Sequence, residues 1–187
     1  MTHIYFVRHA EPNYSNHDDI GRELTPRGLA DRRLVTEFLL DKGVAAIYTS
    51  PYRRALDTIL PFAEAARLPI VHVPDFRERR VDATWIDDFD AFSRHQWADF
   101  DFHLPGGESL REVQNRNIAA LMQLVRQHAG QSVVVGSHGT AISVILNHFD
   151  PAFGHAKFES IRRLMPWIVR LDFDGEVFLG WEGFRLY

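Results

Sequence analysis

The sequence contains no cysteine. Disulfides, thiolate catalysis and thiolate metal sites are therefore excluded. Lysine is nearly absent: Lys42 and Lys157 are the only two, and every other fixed cation is arginine. Arginine suits two-pronged contacts to phosphate or carboxylate, although genome composition accounts equally well for most such positions. No apolar run reaches the roughly 20 residues that span a bilayer. The first run, Ile4 to Val7, stops at Arg8 and is too short for a signal peptide. Nor is there a basic excess, since the net charge is −4, so nucleic acid is not expected as a partner. Internal repeats and linkers are also missing. What remains is 187 residues, 45% hydrophobic and 25% charged. These values fit one globular domain, 1–187, with a cytoplasmic location, no membrane partner and an unspecified oligomeric state.

The chain alternates strands and helices. Ile4 to Val7 is a β-forming run that delivers Arg8 and His9 at its end. A polar loop, about Pro12 to Glu23, follows. Thr25 and Pro26 then open a helix that Gly43 closes. Val44 to Tyr48 is a second strand, and Pro51 opens a helix from Tyr52 to about Arg67, in which Pro61 allows a kink or break. Ile70 to Val73 is a short strand. The stretch from about Val81 to Pro105 mixes Trp85, Phe89, Phe92, Trp97, Phe100 and Phe102 with many aspartates. It is expected as short helices over the sheet edge, with 78–105 acting as a lid or substrate wall. Ser109 to Glu112 forms a capping box for a helix to about His128. Ser132 to Val135 is the most hydrophobic strand and is expected to be central. His138 follows it, then helices over Ala141–Leu146 and Phe153–Leu164. Two strands joined by a turn at Asp174-Gly175 end the chain. This order predicts an α/β fold, a three-layer α/β/α sandwich around a mostly parallel sheet.

Sites in such sheets gather outside the carboxyl ends of the strands. Arg8 and His9 follow one strand, Ser50 to Arg53 a second and His138 a third, so one pocket can collect two imidazoles and two guanidiniums. Arg53 falls in the first turn of its helix, where free backbone N–H groups favour an anion. Guanidiniums clamp phosphate, a neutral imidazole attacks phosphorus, and a carboxylic acid such as Glu78 can protonate a leaving alkoxide.

Six segments, in this order, resemble the histidine phosphatase superfamily, the phosphoglycerate mutase-like group. They are Val7-Arg8-His9-Ala10-Glu11, Leu24-Thr25-Pro26-Arg27-Gly28, Thr49 to Thr58, Phe76-Arg77-Glu78, Gly106-Gly107-Glu108-Ser109 and Ser137-His138-Gly139-Thr140. The resemblance implies a phosphoglycerate mutase-like fold and a hydrolase that takes a small phosphorylated substrate. His9 would carry the phosphoryl group as phosphohistidine. Arg8, Arg53 and His138 would bind it, and Glu78 would be the proton donor. Ser15 or Asn16 lies where such proteins carry a substrate-binding polar residue. No metal or other cofactor is implied. Two departures stand out. Ala10 replaces the usual glycine, and Arg79 to Asp82 replaces the usual residues after the acid. The acidic, aromatic 82–102 segment suggests a substrate with an apolar portion and argues against polyanions.

Other classes fit less well. The spacing around Ser137 is not a nucleophile elbow, and none of the histidine spacings is that of a zinc protease. A mutase remains an alternative within the resemblance, although the chain is short for its insertions. A catalytically weak phosphate-binding module is the alternative outside enzymes.

Overall fold

The computed structural model describes residues 1–187. Strands β1 (Thr2–Arg8), β2 (Val44–Thr49), β3 (Ile70–His72), β4 (Ser132–Ser137), β5 (Trp167–Asp174) and β6 (Val177–Phe184) form one sheet. Its order is β3-β2-β4-β1-β5-β6. The first four strands run parallel, and β5 and β6 are antiparallel additions at one side. The helices are α1 (Pro26–Leu39), α2 (Arg53–Ala66), α3 (Phe89–Ala98), α4 (Leu110–Gln127), α5 (Gly139–Phe149) and α6 (His155–Ile161). This is an α/β sheet fold with helices on both faces.

Alternation along the central strands builds the two faces. Ile4, Phe6, Val133 and Val135 pack with Leu121 and Leu124 of α4 and Ile142 and Ile145 of α5. Tyr5, Val7 and Val134 pack on the other side with Val35 and Leu39 of α1 and Ile59 and Phe62 of α2. Buried on both faces, β1 and β4 read as unbroken apolar runs.

Helix α2 runs unbroken through Pro61. Proline frees the carbonyl four residues earlier. Here that carbonyl, of Asp57, accepts a hydrogen bond from Arg32 Nη1 at 3.1 Å. The helix expected over Phe153–Leu164 shortens to α6, and the one expected over Ala141–Leu146 lengthens to α5, beginning right after His138.

The Thr25-Pro26-Arg27-Gly28 segment is explained by packing. Thr25 caps α1 by accepting from the Gly28 N–H, and its own N–H and hydroxyl donate to the Glu11 carbonyl and carboxylate at 2.9 and 2.8 Å. A Cβ on Gly28 would sit 2.3 Å from the Glu11 carbonyl oxygen. The helix start is thereby fastened to the loop that leaves β1. Replacing Gly28 by alanine is expected to cost about 1–3 kcal/mol, the cost of overpacking, read as a lower urea midpoint. A change within about 0.5 kcal/mol would show that this contact is not tight.

Candidate active site

The parallel strands end together. Arg8 pairs with Ser137 and Thr49 with Gly136, so the residues that follow, His9, Ser50 and His138, emerge side by side. Ser50 N donates to the Gly136 carbonyl at 2.8 Å and His9 N to the Ser137 carbonyl at 3.2 Å. Above them opens a cavity of about 1080 Å³. Its wall includes seven arginines (8, 22, 54, 77, 79, 80 and 162) and five carboxylates (Asp18, Asp19, Glu78, Asp82 and Glu108).

His9 is 5% exposed. Its Nδ1 lies 2.8 Å from the Ala10 carbonyl oxygen. A carbonyl only accepts, so Nδ1 carries the hydrogen and Nε2 keeps a free lone pair. Burial, and then the charges of Arg54 and Arg8, hold the imidazole well below its ordinary value of 6.5. His9 is therefore neutral at pH 7. The methyl of Ala10 is fully buried, and its N–H donates to Thr58 Oγ1 at 2.9 Å. The alanine is accommodated, and its backbone ties the β1 loop to α2.

Arg8 is also buried, with Nη1 donating to the carbonyls of Ile161 and Leu164 at 2.8 and 3.3 Å. A Cβ on Gly139 would sit 3.0 Å from this guanidinium. The glycine that opens α5 is thus a matter of space for Arg8.

Arg53 does not join the site. Its side chain is 58% exposed and pairs with Asp57 at 3.3 Å along the outer face of α2. Arg54, its neighbour, is 2% exposed and lines the cavity. A helix turns about 100° per residue, so adjacent arginines cannot share a face. Arg54 shares its buried stripe with Thr58 and Phe62. It also stacks on the Tyr52 ring, 5.2 Å from the centroid. Arg54 thus supplies the second guanidinium expected of Arg53.

His138 is fully buried but is not part of the cavity wall. Its ring stands edge-on to His9 and Tyr52, with centroids 5.4 and 5.3 Å away. Its Nε2 is 2.7 Å from Ser50 Oγ, while Nδ1 has no protein partner. Burial and the charge of Arg54 also push this imidazole well below 6.5. His138 therefore meets the site at the His9 ring, beneath the cavity floor.

The sign of the stability effect follows. As pH falls through 6.5, the unfolded imidazoles bind protons that the folded ones exclude, so stability is lost below that value and is unaffected above it. The loss approaches about 1.4 kcal/mol per pH unit for each imidazole. Urea titrations at pH 7.5 and 5.5 should show it, with a shallower loss in His138→Asn. An equal loss in the variant would place the effect elsewhere.

Glu78 lies in the cavity wall at the start of α5. Its Oε2 accepts from Thr140 N at 3.0 Å, and Oε1 accepts from Ala141 N at 3.2 Å and Arg79 N at 2.8 Å. The loop that carries it is clamped by Arg116, which donates to the carbonyls of Asp75, Arg77 and Glu78. Arg116 is in turn held by Glu108 at 3.0 Å. Burial opposes ionisation of Glu108, but hydrogen bonds from Arg116 and Arg80 N prevail and hold its carboxyl below the ordinary value. Gly107 leaves room for the same loop, since a Cβ there would sit 2.1 Å from the Val81 carbonyl oxygen. The Gly106-Gly107-Glu108 motif thus fixes the segment that bears the candidate acid.

Ser15 and Asn16 do not reach the cavity wall. The Ser15 N–H donates to Asn13 Oδ1. The side chains of Asn16 and Asn13 donate to Glu23 and hold its carboxyl down to about 2. They shape the loop, and the cavity is faced instead by Tyr14, His17, Asp19 and Arg22. Of the aspartates in the 82–102 stretch only Asp82 joins the wall, beside Ala83, Thr84, Trp85, Ile86 and Phe89. The remaining aspartates do not line the cavity, so the expected bias against polyanions does not follow.

The chain is 30% identical over 160 residues to a metal-independent phosphoserine phosphatase of Arabidopsis thaliana, covering 78% of this chain and 67% of that one. It is 26% identical to a probable phosphoglycerate mutase, GpmB, of Yersinia pestis, covering 97% and 90%. The solved structure of Bacillus stearothermophilus YhfR superposes with a TM-score of 0.81 at 24% identity, covering 96% and 95%, and shows the fold in common. The family description "Histidine phosphatase superfamily (branch 1)" matches residues 4–178, and the chain belongs to that superfamily.

Proposed function

We propose that the protein is a metal-independent phosphomonoester hydrolase that works through a phosphohistidine on His9. The observation that carries this reading is the 2.8 Å contact of His9 Nδ1 with the Ala10 carbonyl, from which the tautomer follows. A buried, neutral imidazole has its Nδ1–H bound to the Ala10 carbonyl, which leaves Nε2 as a nucleophile beside two guanidiniums.

In the first step, His9 Nε2 attacks phosphorus and the bond to the leaving oxygen breaks in line. Arg8 and Arg54 bear the charge on the equatorial oxygens, the role that metal ions take in many phosphoryl transfers. Protonated Glu78 gives its proton to the leaving alkoxide. In the second step, Glu78 as carboxylate takes a proton from water. The water attacks phosphorus, the P–N bond breaks, and inorganic phosphate leaves with His9 neutral again. His138, edge-on to His9 and fixed by Ser50, positions the nucleophile from below. The 78–105 segment acts as a substrate wall, since residues 79–86 and Phe89 face the cavity.

Family membership supports an enzyme of the phosphatase or mutase type. Hydrolysis is the reading preferred here, on the likeness to a protein named as a metal-independent phosphatase. A mutase reading shares the phosphohistidine and differs in the acceptor, a second substrate hydroxyl instead of water. The two separate on product analysis. A hydrolase releases alcohol and inorganic phosphate in equal amounts from an aryl phosphate, with full activity in excess chelator. Loss of activity to chelator would contradict the metal-independent mechanism. Transfer of the phosphoryl group between hydroxyls of 3-phosphoglycerate, without release of phosphate, would favour the mutase. Phosphate binding without turnover across a panel of phosphomonoesters would favour a binding module.

A further inference from the structure

The cavity wall holds a buried cation that the phosphoryl chemistry above does not use. Arg22 comes from the loop between β1 and α1 and is 7% exposed. Its Nε donates to the Asn16 carbonyl at 2.8 Å. Its only carboxylate contact is a long one, Nη1 to Asp19 Oδ1 at 3.4 Å. Burial, and then the nearby charge of Arg54, pull this guanidinium below its ordinary value. Two like charges are thus packed together, with the half-exposed Asp19 carboxylate as the anion between them.

That position is already outlined by the chain itself. The Asp19 carboxylate, 40% exposed, touches Arg54 Nη2 at 3.1 Å as well as Arg22. A planar carboxylate therefore fits between the two guanidiniums. Two aromatic rings hold the fork in place. The Arg22 guanidinium carbon lies 5.6 Å from the centre of the Tyr14 ring and 5.8 Å from that of Trp85. The His17 ring stacks on Trp85 at 3.9 Å and 5°. The loop and the substrate wall thus meet across Arg22. Stacked arginine is pre-organised, so little entropy is lost when it binds a carboxylate with two parallel hydrogen bonds.

We propose that Arg22 is a specificity residue that binds a second anionic group, a carboxylate, on the phosphomonoester whose phosphoryl group meets His9. This rests on the hydrolase reading for its orientation but not for its test. Incoming carboxylate replaces Asp19 as the partner of Arg22, and Arg54 is released toward the phosphoryl oxygens.

The test compares O-phosphoserine with O-phosphoethanolamine, which differ by the carboxylate. In kinetics, Arg22→Ala should lower kcat/KM for O-phosphoserine at least 10-fold more than for O-phosphoethanolamine, mainly through KM, and Arg22→Lys should recover only part. Titration calorimetry on the His9→Ala protein gives a second readout that needs no turnover. There, O-phosphoserine should bind at least 10-fold more tightly than O-phosphoethanolamine, and the preference should vanish when Arg22→Ala is added. Equal losses on both ligands, or no preference to lose, would overturn the inference even if aryl phosphate hydrolysis stands. A preference that depends on Arg22 in a protein that hydrolyses nothing would uphold the inference and defeat the hydrolase reading.

Discussion

Replacing His9 by alanine is expected to lower turnover of an aryl phosphate by about 10⁴-fold or more, the scale seen when a nucleophile is removed. The size follows from what the cavity holds. It contains no cysteine, and its other imidazole, that of His17, stacks on Trp85. His138 lies below the floor with Nε2 committed to Ser50. No other side chain combines a neutral lone pair with two guanidiniums alongside. The remaining rate would come from water attacking a phosphate still held by Arg8 and Arg54. Folding should persist, because the His9 side chain bonds only the carbonyl next to it. Kinetics paired with circular dichroism measure both. Near-normal turnover in a folded variant would remove His9 from the mechanism.

The second large effect separates two adjacent residues. Arg54→Ala should lower kcat/KM by about 10²–10³-fold, the range for losing one preorganised donor to a developing charge. Arg53→Ala should change it less than about 2-fold, since that side chain pairs with Asp57 on the outer face of α2 and exposed pairs of this kind contribute little. Arg54→Lys should recover only part, because an ammonium cannot reproduce the fork that now spans the Asp19 carbonyl and carboxylate. A reversed order, with Arg53 the costly position, would contradict the placement of α2.

These two arginines show where a sequence informs and where it stops. The strand-end logic located Arg8, His9 and His138 because the apolar runs of β1 and β4 are long and unbroken. Choosing between Arg53 and Arg54 required the helical phase. The signal was present: Arg54, Thr58 and Phe62 recur on one side, while Arg53 and Asp57 form an i,i+4 ion pair on the other. Place in the first turn and the family resemblance point to Arg53, whereas the phase of the buried stripe points to Arg54. Ser15 and Asn16 failed for another reason. Their loop has no periodicity, and its conformation comes from side-chain bonds to Glu23 and one backbone bond from Asn13 N to the Glu23 carbonyl, which no local pattern announces. Arg116 and Glu108 were invisible as a pair because they act through the loop carrying Glu78. The Pro61 break did not occur because Arg32, 25 residues from the freed carbonyl, satisfies it. Contacts of that range lie beyond any window read along the chain.

The central claim is a covalent one, and one measurement addresses it directly. The protein is mixed with an aryl phosphate carrying labelled phosphorus, quenched in base within the first turnovers, digested and sequenced by mass. A phosphoryl group on the peptide that contains His9, stable in base and lost in acid, absent from His9→Ala, is the predicted result. Efficient hydrolysis with no bound label at any time, or a label that survives acid or sits on another residue, would contradict it.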